Sequence, residues 1–108
     1  MIERGRICWL EAERPAARRP VLVLQADPFN RSSIPTVLVA PLAQDLGLAE
    51  APANVLLRAK VSGLPRDTVL VISQISAVER SRLRETAVRL DDELIGEVGE
   101  GMRLVLGL

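Results

Sequence analysis

Short apolar runs rich in Val, Ile and Leu, each ended by a breaker, constrain this chain more than any other feature. They lie at Arg6 to Glu11, Val21 to Ala26, Thr36 to Leu42, Val55 to Arg58 and Thr68 to Ile72. Each has the length of a strand and falls short of a helix. Between them stand Pro15 and Pro20, Asp27-Pro28, Ile34-Pro35, Gly47 and Pro52, then Ser62-Gly63-Leu64-Pro65, all residues that turn or interrupt the backbone. Five short strands in such a length predict a small, strongly bent sheet or partly closed barrel, because an open sheet of that size leaves long edges exposed. A sixth strand is expected from Glu85 to Leu90, and Ser81 to Arg84 reads either as strand or as a helical turn.

The C-terminal segment has a different period. Leu94, Ile95, Val98, Met102, Val105 and Leu106 recur at helical spacing, while Glu93, Glu97, Glu100 and Arg103 avoid that face. This is one amphipathic helix, with Asp91 as N-cap and the carboxylates of Asp92 and Glu93 at the positive end of its dipole. Gly96, Gly99 and Gly101 lie inside it and cost roughly 1 kcal/mol each relative to Ala, so packing must hold the helix together. Close approach of another backbone is one reason for such glycines.

With 108 residues the expectation is a single domain spanning 1–108. The composition removes several chemistries, because there is no His, no Tyr and only one Cys. Zinc sites built from Cys and His, Ser-His or Cys-His nucleophiles and disulfide frameworks are excluded on residue supply alone. Catalysis must rest on Arg, carboxylates, hydroxyls or backbone dipoles, and no metal or other cofactor is expected. Cys8, between Ile7 and Trp9, reads as a buried small hydrophobe in a reducing compartment, which suggests the cytoplasm. No apolar run reaches the ~20 residues of a membrane span, and Met1-Ile2-Glu3-Arg4 does not open like a signal peptide.

Charge is balanced overall, with 14 basic against 14 acidic side chains, but unevenly placed. From Arg58 to Arg89 there are seven basic residues and three acids; from Leu90 onward there are five acids and only Arg103. Of the 14 basic residues 13 are Arg, whose planar fork suits bidentate contact with phosphate. Trp9 alternates into the first strand and reads as core, and Phe29 reads as packing on its helical turn. No aromatic platform for bases is therefore expected, and nucleic-acid binding would rest on phosphates and shape, with a strong salt dependence.

In order along the chain, Arg4-Gly5-Arg6-Ile7-Cys8-Trp9, Arg19-Pro20-Val21-Leu22-Val23, Phe29-Asn30-Arg31, Val39-Ala40-Pro41-Leu42, Leu64-Pro65-Arg66-Asp67 and Gln74-Ile75 resemble the motifs of the MazF/PemK family of toxin endoribonucleases. The resemblance implies a mainly β fold with helices, an SH3-like small barrel of about five to six strands carrying the C-terminal helix. It implies a homodimer that cuts single-stranded RNA at a short sequence without metal, leaving a 2',3'-cyclic phosphate and a 5'-hydroxyl, and that is held in check by a cognate antitoxin with a flexible acidic tail. That chemistry suits a chain without His, because the substrate's own 2'-hydroxyl is the nucleophile and the protein need only orient the strand and stabilise charge.

Carried over residue by residue, the resemblance makes Arg19 the catalytic Arg of the Arg-Pro step. Arg14 and Arg18 become phosphate contacts near it, Gln74 a reader of a base edge, and Arg66 and Thr68 neighbours of the groove. Three departures stand beside it. Ala43 occupies a position where some members carry a catalytic Thr, with Gln44 next to it as an alternative amide donor. Ser73 and Ser76 replace an acid and an Arg. The stretch between Trp9 and Arg19 is short and lacks the family's Gly-rich overhang. These departures admit a second reading, a toxin scaffold that binds antitoxin or RNA without cutting. A third, poisoning of a topoisomerase as in the related CcdB proteins, requires an aromatic C-terminus, whereas this chain ends Leu106-Gly107-Leu108.

Overall fold

A computed structural model describes residues 1–12 and 17–108. Its strands are β1 (Arg6–Glu11), β2 (Arg18–Val23), β3 (Thr36–Ala43), β4 (Val55–Leu57), β5 (Thr68–Leu70), β6 (Ser76–Glu79) and β7 (Leu83–Arg89). Two single-turn helices, α1 (Asp27–Asn30) and α2 (Ala59–Ser62), sit in the connections, and α3 (Asp92–Leu106) closes the chain.

All the strands belong to one antiparallel, curled sheet in the order β4-β5-β3-β2-β1-β7, with β6 also paired to β3. β3 organises it. Val39 pairs with Val23 of β2 and with Ser76 of β6, so those strands lie on opposite edges of β3. Further along, Leu42 and Ala43 pair with Leu70 and Val69 of β5. A 3₁₀ turn, Ile72–Gln74, separates β5 from β6 and lets both share the long strand.

Both faces of the sheet are apolar where β1, β2 and β3 run side by side. Alternation sends Ile7, Leu22, Ala40 and Leu42 to the main core, which also takes Leu57, Leu70, Ile72, Leu90 and Val98. It sends Cys8, Leu10, Val21, Val23, Val37 and Val39 to a second cluster, completed by Val78 and Leu83. Two-sided burial is why these strands read as nearly continuous Val, Ile and Leu runs instead of alternating ones.

The helix forms for the reasons visible in its sequence. The Asp91 carboxylate accepts from the Leu94 N–H at 2.9 Å, and Gly107 ends the helix at φ 71°. Leu94, Ile95, Val98 and Met102 pack on the main core, but Val105 and Leu106 stay 39% and 54% exposed, so the last turn projects beyond it. Among the three helical glycines only Gly101 meets another backbone. A Cβ there would lie 2.8 Å from the Ala53 carbonyl oxygen and 2.6 Å from Ile72 Cδ1, whereas at Gly96 it would touch nothing within 4 Å. Gly101→Ala is therefore expected to cost about 1–3 kcal/mol through overpacking, while Gly96→Ala gains roughly 0.5–1 kcal/mol from helix propensity. Urea denaturation of the two variants checks this; a Gly101→Ala protein as stable as the parent would mean that the contact yields freely.

The differences from the sequence reading have local causes. β2 begins at Arg18 instead of Val21 and takes in Pro20, because β3 joins it only from Val21 onward and leaves Pro20 at an outer end where a missing ladder donor is tolerated. The seventh strand, β6, gives no signal in the sequence because only Val78 of Ser76–Glu79 is buried, too little to set a period. The Ser81 to Arg84 segment divides: Arg80–Arg82 is a 3₁₀ turn, and β7 starts at Leu83. Phe29, on α1, is 55% exposed. Among the described residues no helix is long and apolar enough to cross a membrane.

Candidate functional site

Arg19 and Arg18 are adjacent on β2, and the pleat sends their side chains to opposite faces of the sheet. Arg19 follows Val21 to the face of the second cluster. There it lines a cleft of about 150 Å³ whose floor is Leu10, Val21 and Val39 and whose rim is Pro41, Gln74 and Ser76. Arg19, Gln74 and Ser76 are all exposed, so polar and cationic groups overhang an apolar floor. Gln74 is set in place by the 3₁₀ turn, whose backbone N–H donates to the Val71 carbonyl at 3.1 Å. Ser76 is fixed by its pairing with Val39.

Arg18 follows Pro20 to the face of the main core. It lines a second cavity, of about 170 Å³, with Trp9, Gln44, Leu64, Arg66 and Thr68. Its guanidinium carbon lies 4.4 Å from the centroid of the Trp9 ring, a cation–π contact. The register explains the pair: Pro20 is opposite Trp9 and Arg18 opposite Glu11, so Arg18 is the diagonal neighbour of Trp9 on one face. Thr68 opens β5 and is buried, with its hydroxyl unpartnered among the described residues.

The candidate residues therefore form two groups, not one. Arg19 and Gln74 share the cleft; Arg18, Gln44, Arg66 and Thr68 share the cavity on the other face. Arg14 lies outside the described residues. One correction follows: Arg18 is a strand residue facing Trp9 and not a loop partner of Arg19. Trp9 packs on the main core, as its alternation predicts, and also forms a wall of the cavity. Ser76, noted in the sequence only as a departure, is a rim residue of the cleft.

The basic stretch from Arg58 to Arg89 is not one patch, because much of it is committed to structure. Arg80 donates to the carbonyls of Asn30 at 2.8 Å and Ile34 at 3.0 Å, pinning the loop after α1. Arg82 donates to the Glu11 carbonyl at 2.8 Å, Arg84 pairs with Glu11 at 3.3 Å, and Arg89 lies 3.5 Å from Asp92. Arg58 pairs at 3.6 Å with Asp67, whose carboxylate also accepts from the Ala59 N–H. Arg18, Arg19 and Arg66 have no carboxylate within salt-bridge distance among the described residues.

Cys8 is fully buried in the second cluster, and desolvation, with Glu85 nearby, pushes its thiol up to about 11. It is a packing residue, and the native protein is expected to resist iodoacetamide at pH 8 until denatured; rapid labelling of the folded chain would contradict this. Among the described residues no group of three or more His, Cys, Asp or Glu could hold a metal ion.

Residues 3–106 match the family described as PemK-like, MazF-like toxin of type II toxin-antitoxin system. The chain belongs to the PemK/MazF toxin family. It is 37% identical over 113 residues to Endoribonuclease MazF6 of Mycobacterium tuberculosis, covering 100% of this chain and 99% of that protein. It is 39% identical over 90 residues to Endoribonuclease EndoA of Bacillus subtilis, covering 83% of this chain and 77% of that one. A chain of the MazE-MazF complex from Deinococcus radiodurans has the same fold, with a TM-score of 0.79 at 23% identity over 99% of this chain and 96% of that one. So has the Mycobacterium tuberculosis toxin MazF-mt6, with a TM-score of 0.79 at 20% identity over 95% and 97%. In this MazF-like chain the Arg-Pro step thus places its Arg over an apolar cleft, and Ala43 ends β3. Ala43 is two residues beyond Pro41 and shares its face of the sheet, directed to the same side as the cleft.

Proposed function

We propose that this MazF-type endoribonuclease toxin cuts single-stranded RNA by in-line attack of the substrate's own 2'-hydroxyl on the adjacent phosphorus. The observation that carries the reading is the cleft on the β2–β3 face, where Arg19, Gln74 and Ser76 rim an apolar floor. As the 2'-oxygen bonds to phosphorus, the bond from phosphorus to the 5'-oxygen breaks. The 2'-hydroxyl gives up its proton and the leaving oxygen gains one. The products are a 2',3'-cyclic phosphate and a 5'-hydroxyl, and neither water nor a redox partner is consumed.

Arg19 serves this reaction as a fixed positive charge. A guanidinium holds its proton too tightly to shuttle it, but its fork fits the non-bridging oxygens on which negative charge grows. Gln74 and Ser76 hold the strand by hydrogen bonds, so that attacking and leaving oxygens stay in line. No step requires a metal. Arg18, Gln44, Arg66 and Thr68 engage flanking nucleotides, and the chain acts as one domain in a cytoplasmic homodimer. The cognate antitoxin silences it by folding an acidic, flexible tail onto these arginines.

Incubation of the purified protein with a long single-stranded RNA in EDTA, followed by mapping of the cut ends, tests the reading. Discrete cuts ending in cyclic phosphate and 5'-hydroxyl are expected. Ends bearing a 5'-phosphate, or cutting that requires added divalent cation, would overturn the mechanism. No cutting by the folded dimer would leave a scaffold that binds without cleaving, the reading favoured by the Ala and Ser at positions 43, 73 and 76.

A further inference from the structure

Gln74 on the cleft rim is exposed, and its side chain makes no hydrogen bond among the described residues. Its place over the cleft is therefore set by the backbone of the 3₁₀ turn Ile72–Gln74. Just before that turn the Val71 N–H donates at 3.0 Å to the carbonyl of Pro41, itself a rim residue. Within the turn Ile72 is fully buried, and a Cβ on Gly101 of α3 would come within 2.6 Å of its Cδ1, so the turn has no slack toward the helix. The first N–H of such a turn finds no carbonyl inside it, and Val71, at the capping position, offers no side-chain acceptor. The sheet does not supply one either: β4 and β5 pair as far as Val55 and Leu70, and Ala53, at φ 71°, turns the chain off the strand line. The acceptor comes from Asn54. Its Oδ1 accepts from the Ile72 N–H at 3.2 Å, while its Nδ2 donates at 2.9 Å to the Leu48 carbonyl in the 3₁₀ turn Leu46–Glu50. An amide has acceptor and donor on separate atoms, so both contacts are made at once.

We propose that Asn54 is a positioning residue for RNA cutting: reaching across 18 residues of sequence, it caps the turn that carries Gln74 and so fixes the Gln74 amide over the Arg19 cleft. The inference rests on the endoribonuclease reading above. Asn54 itself does not line the cleft and acts only through the turn. A side chain that holds the RNA keeps the attacking and leaving oxygens in line only if it is itself fixed, and in-line geometry is what converts binding into rate. With the cap gone, the Gln74 amide still finds the strand but in a wider range of positions. The loss therefore falls on kcat and spares KM.

The test is a double-mutant cycle on the full-length protein, read as kcat and KM for a short single-stranded RNA that carries one mapped cut site. Asn54→Ala is expected to lower kcat by about ten- to a hundredfold, because a misplacement of roughly 1 Å arising away from the chemistry can cost on the order of a hundredfold. KM should stay within about threefold of the parent. Asn54→Asp keeps the acceptor for the Ile72 N–H and gives up only the donor to Leu48, so it should restore most of the rate. In a Gln74→Ala background the Asn54→Ala change should cost less than about threefold, because the group it positions is already gone. A merely structural Asn54 would cost the same factor in both backgrounds. That outcome, or an Asn54→Ala protein that cuts like the parent, overturns the proposal and leaves the endoribonuclease standing. If Asn54→Ala does not fold, Asn54→Asp decides: a folded Asp variant as slow as Gln74→Ala overturns the proposal, and one near the parent rate upholds it. A folded parent that does not cut RNA overturns the endoribonuclease reading and this proposal with it.

Discussion

Replacing Arg19 by Ala is expected to lower the single-turnover cutting rate by at least about a hundredfold, the scale on which removing a preorganised donor to developing charge acts. The side chain is exposed and makes no hydrogen bond among the described residues, so stability should change by no more than about 0.5 kcal/mol. The dimer and the melting profile should be those of the parent. Arg19→Lys keeps a charge but loses the fork and should fall between the two. Arg18→Ala is the informative control, because it differs by one position yet faces the other side of the sheet. It should weaken RNA binding and leave the chemical step nearly intact. If Arg19→Ala cuts within about threefold of the parent under single-turnover conditions, Arg19 does not stabilise the transition state.

Ala43→Thr is expected to act in the opposite direction and raise the rate about tenfold or more, because one fully preorganised donor is worth a factor on the order of 10²–10³. Position 43 ends β3 beside Val69 of β5 and shares its face with Pro41 on the rim of the Arg19 cleft. A hydroxyl there adds a donor on the side where charge develops. The gain should appear in the chemical rate and not in RNA affinity, since a contact made only in the transition state raises kcat without lowering KM. Threonine is at home in a strand, and Ala43 is only half-buried, so space is available. An unchanged rate for Ala43→Thr would show that this chain has shifted its chemistry away from β3, and Gln44, one step further on, would become the position to vary.

Much of this fold is legible in the residues. The paired-strand segments announce themselves because β1, β2 and β3 bury both faces, and the helix because Asp91, the apolar stripe and Gly107 agree about where it starts and stops. What escapes is what the residues themselves do not encode. β6 exists because β3 offers it an edge, and one buried Val cannot signal that. The start of β2 is hidden by Pro20, which argues locally against a strand and is tolerated only because β3 has not yet joined.

The candidate residues can be named from the sequence, but their arrangement cannot. Arg19 and Gln74, far apart in sequence, are brought to one cleft by the sheet. Arg18 cannot join them there, because the pleat forbids neighbours on a strand from sharing a face. Trp9 keeps the place that its alternation predicts, packed on the main core, and walls the cavity as well. The diagonal partnership of Trp9 and Arg18 follows from the hairpin register, and that register is readable only once the start of β2 is known. The arginines of the 58–89 stretch differ in fate, as Arg80 shows, because carbonyl oxygens far away in sequence claim them.

The tandem of arginines before Pro20 also has a genetic consequence. Positions on β2 are counted back from Pro20, because Val21 and Leu22 are paired in the sheet on both sides. Losing either arginine codon yields the same protein, and in it the surviving arginine stands next to the proline, in the cleft. Ala17 then takes the place diagonal to the indole, and the cation over Trp9 is gone. A single in-frame deletion thus leaves an arginine in the cleft and takes the cation out of the neighbouring cavity.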